Sequence, residues 1–230
     1  MTGHGPRPLA SPPCMAGEVA EGRFGAMGTD PQQARDVAVW RRAERIRLAG
    51  LRNDLGQARR AEVSTQIRQQ LGRVLEARLD RPGMVLAGYW PIKGEPDLRP
   101  LLAALHDRGV LIALPVVETR AAPLVFRHWT PQTRLQRSDW NIPAPPVDAP
   151  VVTPDVVLAP CLGWDDNAYR LGWGGGYFDR TLATPGPRPH AIGIALEAAR
   201  LPTIFPQPHD IALDLIVTEA GVRAERMTER

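Results

Sequence analysis

The feature that most constrains the fold is a strand, helix, strand succession between residues 84 and 117. Met84 to Trp90 is a short apolar run set off by Pro82 and Gly83, and a helical pattern from Asp97 to Arg108 follows, with Leu98, Leu101, Leu102 and Leu105 on one side. After Gly109 comes a second apolar run, Val110 to Val117. Strands joined through a helix in this way lie parallel, with a right-handed crossover. In parallel sheets ligands bind at the carboxyl ends of the strands. That is where Pro91 to Asp97 falls, so Glu95 and Asp97 are site candidates. Asp97 reads equally well as the cap of the following helix.

The rest of the chain extends this pattern. Val37 to Leu79 reads as two helices meeting near Asn53 to Gly56, the second with an apolar stripe through Val63, Ile67, Leu71, Val74 and Leu75. Further strands are expected at Leu124 to Trp129, Asp155 to Ala159, His190 to Leu196 and Leu213 to Thr218, with a helix at Tyr177 to Ala183. The expected fold is a single α/β domain over residues 36–230: a mostly parallel sheet flanked by helices, Rossmann-like and three-layered, with helices at its N-terminal end. Residues 1–35 are rich in Gly, Pro and Ala without periodicity, and are expected to be a disordered extension.

With 230 residues and 43% hydrophobic content, the chain can bury one substantial core. No apolar run approaches a membrane span, and Pro6, Pro8, Pro12 and Pro13 interrupt any signal-like start, so a cytoplasmic, membrane-free, monomeric protein is expected. Cys14 and Cys161 are too few for a disulfide framework, and no zinc signature occurs. The net charge of +3 comes almost wholly from arginine, Lys93 being the only lysine, and so modest an excess does not call for a nucleic-acid partner.

The chemistry concentrates in Arg170-Leu-Gly-Trp-Gly-Gly-Gly-Tyr-Phe-Asp-Arg180. Gly172, Gly174, Gly175 and Gly176 permit positive φ and close backbone approach, and a loop of this kind feeding a helix forms an anion site from bare amides and the helix dipole. The spacing fits neither the dinucleotide fingerprint nor the Walker loop. Arg170 offers a positive fork for phosphate, and Asp179, in the first helical turn, could hold Mg²⁺ against it. The plainer alternative is a Gly-rich turn whose Asp complements the dipole. Arg41, Arg45 and Arg52 project from one helix face, within about 40° of each other, as a shared anion or a solvated basic face would have it. His209 and Asp210 read as a surface turn unless Mg²⁺ needs a second carboxylate. Trp140, in a Pro-rich connection, is either a core plug or an aromatic wall for a ring ligand.

Assembled, these segments resemble the 5-formyltetrahydrofolate cyclo-ligase family, also called methenyltetrahydrofolate synthetase, from about Arg41 to Thr218. The loop Arg170 to Arg180 carries most of the resemblance, supported in order by Pro91 to Asp97, Trp140-Asn-Ile-Pro143, and Pro208-His-Asp210 with Leu213 to Glu219. The resemblance implies that Arg41 and Arg45 approach ATP, Arg45 also nearing the folate. It makes Arg170, Leu171, Gly172, Trp173, Gly174, Gly175, Gly176, Tyr177 and Phe178 the ATP loop, of which Trp173 to Tyr177 also face the substrate. Ile92 and Asp97 become pterin-side contacts with Glu95 adjacent, Trp140 a substrate contact, and Asp179 and Asp210 the Mg²⁺ ligands. Arg170 and Asp179 are then the catalytic pair. The implied reaction is an ATP- and Mg²⁺-dependent cyclisation of 5-formyltetrahydrofolate to the 5,10-methenyl compound. A non-catalytic folate or nucleotide binder of the same fold is the alternative. The sequence departs from common members at Trp164, where Phe is usual, at Ala168, where Gly is common, and at Val116 and Val117, which lack an Arg often found there.

Overall fold

The computed structural model describes residues 30–138 and 141–226. In chain order these form α1 (Pro31–Asp54), α2 (Gln57–Glu76), β1 (Val85–Ala87), α3 (Arg99–Asp107), β2 (Leu111–Val116) and β3 (Val125–Trp129). Then come β4 (Gln136–Arg137), β5 (Pro143–Ala144), β6 (Val156–Pro160), β7 (Gly163–Trp164), β8 (Arg170–Leu171), α4 (Tyr177–Leu182), β9 (His190–Ile194), β10 (Leu215–Thr218) and β11 (Gly221–Glu225).

Helix α1 starts earlier than composition suggests, and takes in residues 31–35, which had been assigned to the extension. The reason is local: the Asp30 carboxylate accepts the Gln32 N–H at 2.9 Å, and Pro31 sits in the first turn, where its missing N–H costs nothing. The remainder of the expected extension, residues 1–29, lies outside the described residues.

The seven-stranded sheet has the order β11-β10-β9-β6-β1-β2-β3. Its five central strands pair parallel, and the edges β3 and β11 pair antiparallel. Numbered by their place in the chain, the parallel strands run 2-1-3-4-5, a doubly wound order whose direction of winding reverses between β1 and β6. A crevice therefore opens at the carboxyl ends of those two strands.

Strand residues alternate between two cores. Leu86, Ile112, Leu114, Val156 and Leu158 join the stripe Val63, Ile67, Leu71 and Leu75 of α2 and Leu102 and Leu105 of α3 in the larger cluster. Val85, Ala87, Ala113 and Val157 point the opposite way, with Phe126, and are covered by Leu124, Val152 and Phe178 of α4. Both faces of the central strands are thus dry, which accounts for their unbroken apolar runs. Among the described residues no helix is long and apolar enough to cross a membrane.

Candidate active site

A cavity of about 790 Å³ occupies the crevice. Its floor is the carboxyl-end segment of β1 (Tyr89, Trp90), the end of β2 (Leu114, Pro115) and Pro160 of β6. The glycine loop, every residue from Arg170 to Asp179, forms one wall, and Arg41 and Arg45 of α1 approach from the side. Ser138, Asn141 and Ile142, from the β4–β5 connection, also line the cavity; the last two belong to the Trp140 to Pro143 motif, while for Ser138 the sequence alone offers no signal.

The glycine loop is held by its carbonyls and leaves its amides unused. The β7–β8 ladder (Gly163 with Leu171, Trp164 with Arg170) delivers the loop. Arg45 Nε donates to the Gly172 carbonyl at 2.8 Å, and Arg180 donates to that of Gly175. Among the described hydrogen bonds none is donated by the main-chain N–H groups of Gly172 to Gly176. Gly174 lies at φ +98° and Gly176, the residue before α4, at φ +64°. The first value falls outside even the left-handed helical region, so Gly174→Ala is expected to distort the loop and raise the apparent Michaelis constant of any anion bound there. The accompanying strain, of about 1–2 kcal/mol, should lower the melting temperature by only a few degrees. Steady-state kinetics beside a thermal melt checks both.

Two ion pairs stand behind the loop. Arg170 Nη2 donates to Asp179 Oδ2 at 2.8 Å, with the guanidinium 5.2 Å from the centre of the Phe178 ring. Arg41 grips Asp210 through both Nη atoms, and also donates to the carbonyls of Ile204 at 3.0 Å and Phe205 at 2.9 Å. The N–H of Ile211 donates to Asp179 Oδ1 at 3.3 Å, so Asp179 is tied to the residue that follows Asp210, and both carboxylates line the cavity. Burial works to raise the Asp210 carboxyl, but the Arg41 bond, the Gln207 N–H and the Arg41 charge prevail and hold it below the usual carboxylate range. Burial and then the Arg41 charge lower the pKa of Arg45, against the pull of Asp210. A site of this kind, with two crowded guanidinium groups, favours an incoming anion.

The donor set suits Mg²⁺. Among the described residues no group of three or more His, Cys, Asp or Glu side chains gathers, but Mg²⁺ is commonly held by one or two carboxylates together with substrate phosphates. Asp179 accepts two hydrogen bonds of the roughly four a carboxylate can take, and Asp210 accepts three. Asp179 therefore has more capacity left for a cation. His209, its side chain 76% exposed, comes only to 3.9 Å from Asp210 Oδ1.

Across the cavity the 92–95 turn runs through two consecutive positive φ values, Lys93 at +48° and Gly94 at +73°. It folds Glu95 inward: Oε2 accepts the Ile92 N–H and Oε1 accepts the indole N–H of Trp173, each at 3.0 Å. This bond joins the turn to the glycine loop. Burial pushes the Glu95 carboxyl above its ordinary value, and the Ile92 and Trp173 bonds with the charges of Arg52 and Lys93 pull it part of the way back.

Of the anticipated site residues, the structure brings Arg41, Arg45, Ile92, Glu95, the loop from Arg170 to Phe178, Asp179 and Asp210 to one cavity. It does not bring Asp97 there. That carboxylate accepts the Arg99 N–H at 3.0 Å and pairs with the Arg99 guanidinium, which holds it below the usual range. Asp97 thus serves the start of α3. Trp140 lies outside the described residues.

Two of the departures noted above, Trp164 and Ala168, are structurally absorbed. The indole N–H of Trp164, 1% exposed, donates to the Leu196 carbonyl at 2.9 Å. Ala168 takes the positive φ of +59° that Gly adopts more easily, in a turn closed onto Asp165.

Comparison with known proteins agrees with this fold. The model of the 5-formyltetrahydrofolate cyclo-ligase family matches residues 37–219. A 5-formyltetrahydrofolate cyclo-ligase of Mycolicibacterium smegmatis is 32% identical over 152 residues, 63% of this chain and 78% of that protein. The Escherichia coli cyclo-ligase is 29% identical over 175 residues, 71% and 96% of the two chains. The solved structure of Aquifex aeolicus 5,10-methenyltetrahydrofolate synthetase superimposes with a TM-score of 0.70 at 27% identity, over 83% of this chain and 95% of that one. From the span of the family match and the agreement of the fold, the chain belongs to the 5-formyltetrahydrofolate cyclo-ligase family.

Proposed function

We propose that the chain is an ATP- and Mg²⁺-dependent enzyme that cyclises 5-formyltetrahydrofolate to 5,10-methenyltetrahydrofolate, releasing ADP and phosphate. The observation that carries this reading is one cavity lined by two unlike sets of groups. One is five unused loop amides with Arg45 and Arg170; the other is the buried acceptor Glu95, tied to the loop by the Trp173 indole.

The chemistry follows from the substrate. A formyl carbon on nitrogen is amide-like and a poor electrophile, so the γ-phosphoryl group passes first to the formyl oxygen and ADP leaves. The neighbouring folate nitrogen then attacks the activated carbon and releases its proton to solvent, the C–O bond breaks, and phosphate departs with the former formyl oxygen. The chain's part is positional and electrostatic. The loop amides and Arg45 bind the phosphates, and Arg170 orients Asp179 beside them. Asp179 and Asp210 would hold Mg²⁺, which supplies neutralisation of the transferring group. No protein nucleophile is required, and the nearby thiol is a poor one: burial pushes Cys161 up to about 12.

Incubation with 5-formyltetrahydrofolate and Mg-ATP, following methenyl-folate absorbance and ADP together, tests the reading. Both products should rise in step; binding of both ligands without either product would return the chain to the binder alternative. Arg45→Ala should raise the apparent Michaelis constant for ATP about ten- to 150-fold, as loss of a charged hydrogen bond worth roughly 1.5–3 kcal/mol predicts. Arg78→Ala, which breaks only an exposed pair with Glu225, should leave it unchanged.

A further inference from the structure

Helix α1 carries three arginines on one face, and the site as described uses two. The third, Arg52, is 1% exposed. Its Nη2 donates to the Cys161 carbonyl just beyond β6 at 2.6 Å, while Nε and Nη1 donate to no protein group. A buried, half-partnered guanidinium is costly unless nearby charge or dipole holds it. What surrounds it is the part of the cavity near Glu95. Gly94 packs on its stem, where a Cβ would come 3.3 Å from Arg52 Cγ, and the Trp173 ring centre lies 6.0 Å from Cζ. Glu95 is the buried anion of the neighbourhood, although no ion pair within 4.0 Å joins the two.

We propose that Arg52 is a positioning residue for folate recognition: from beneath the 92–95 turn its charge lets the buried Glu95 meet the substrate as a carboxylate, and its plane supports Trp173. The inference rests on the functional reading above. A carboxylate here suits a ligand edge rich in N–H donors, which the amino-pyrimidinone ring of a folate presents.

The other groups facing Glu95 narrow the source of that charge. Tyr89, following β1, is pushed well above its ordinary value by burial and donates its hydroxyl to the Pro96 carbonyl at 2.9 Å. Cys161, following β6, is pushed up to about 12. Both are neutral at neutral pH. Arg60 of α2 approaches Gly94 from outside and is engaged by the Asn53 carbonyl. Lys93, 4.4 Å from the Trp173 ring centre, is the other cation, an exposed residue that lines the cavity. Arg52 is thus the buried member of the two cations acting on Glu95. With Arg52 removed, burial is less opposed and the Glu95 carboxyl rises further. Binding that needs the carboxylate is lost as pH falls through that value, so the loss moves to higher pH.

The test is calorimetric titration of the full chain with 5-formyltetrahydrofolate in the absence of ATP, at a series of pH values, on wild type, Arg52→Met, Arg52→Lys and Glu95→Gln. Met keeps an unbranched apolar stem without the charge. In Arg52→Met the dissociation constant should rise about tenfold at neutral pH, and the acid loss of binding should move up by about one pH unit. Arg52→Lys should restore the wild-type profile, ATP affinity should be unchanged in both, and Glu95→Gln should abolish the pH dependence. A folded Arg52→Met protein with wild-type affinity and profile overturns the inference, as does weaker binding of folate and ATP alike with an unmoved profile. If Arg52→Met does not fold, an acid loss of binding that persists in Glu95→Gln overturns it just as well, and its disappearance there together with a wild-type profile in Arg52→Lys supports it. Wild type that binds no 5-formyltetrahydrofolate at any pH overturns the functional reading along with it, whereas binding by wild type that Arg52→Met does not alter overturns this inference alone.

Discussion

Asp179→Asn should give a folded protein whose turnover falls by about two to three orders of magnitude and whose Mg²⁺ requirement moves upward. The carboxylate holds Arg170 through Oδ2 and takes the Ile211 N–H on Oδ1, with acceptor capacity left over. Asn keeps the size and one acceptor but loses the negative charge, so a hard cation loses an anionic oxygen. Arg170, with its side chain 5% exposed, also loses its counter-charge, and about 1–3 kcal/mol of stability should go with it. A residue that merely starts a helix would show the stability loss without the Mg²⁺ shift. Titration of ADP and methenyl-folate production against Mg²⁺, beside a thermal melt, separates the two. Near-normal cyclisation with unchanged Mg²⁺ dependence in a folded Asp179→Asn protein would sink the metal role. Asp210→Asn should behave alike with a larger stability cost, since three hydrogen bonds meet there, and the double variant should lose less activity than the sum of the two losses.

Arg41→Ala should lower the melting temperature by about 10 °C, from a loss of roughly 3–5 kcal/mol, whatever it does to ATP affinity. One guanidinium fastens α1 to Ile204, Phe205 and Asp210, and both members of the pair are 9% exposed at the side chain. Truncation leaves a buried carboxylate without its counter-charge and the Ile204 carbonyl without a donor, while Gln207 still donates to Asp210 and to the Phe205 carbonyl. The pH dependence carries a second signature. Asp210 has its carboxyl lowered in the folded protein, so the unfolded chain binds the proton more readily. That contribution is complete above about pH 4, the ordinary Asp value, and is lost as pH falls through the lowered folded value. In Arg41→Ala burial acts without opposition from Arg41, and this acid step should shrink or reverse. A melting temperature within a degree or two of wild type, with an unaltered acid arm, would make Arg41 a solvated ligand arm instead of a clamp.

Several features of this protein were determined by the sequence alone. The central strands and the helices were legible because their residues repeat with the period of the element: Val63, Ile67, Leu71 and Leu75 mark a helix face, and β6 is apolar throughout because both of its faces are covered. The glycine loop was legible because its parts, Arg170 to Asp179, are contiguous, so local spacing carries the geometry. The ladders β4–β5 and β7–β8 were not, since two residues per strand have no period, and the antiparallel edge β11 was missed at the end of the chain.

Tertiary structure decided the rest. Glu95 and Asp97 stand two residues apart in one polar stretch, and only the left-handed turn at Lys93 and Gly94 sends the first into the cavity and leaves the second to Arg99. Arg41, Arg45 and Arg52 share a helix face by simple arithmetic, but they became a clamp on Asp210, an anchor for Gly172 and a buried cation beneath Trp173. Their partners lie 169, 127 and 109 residues away along the chain, the last being the Cys161 carbonyl. Periodicity reports which way a side chain points from its own helix. What that side chain meets is set by the order of strands in the sheet, and no local pattern encodes it.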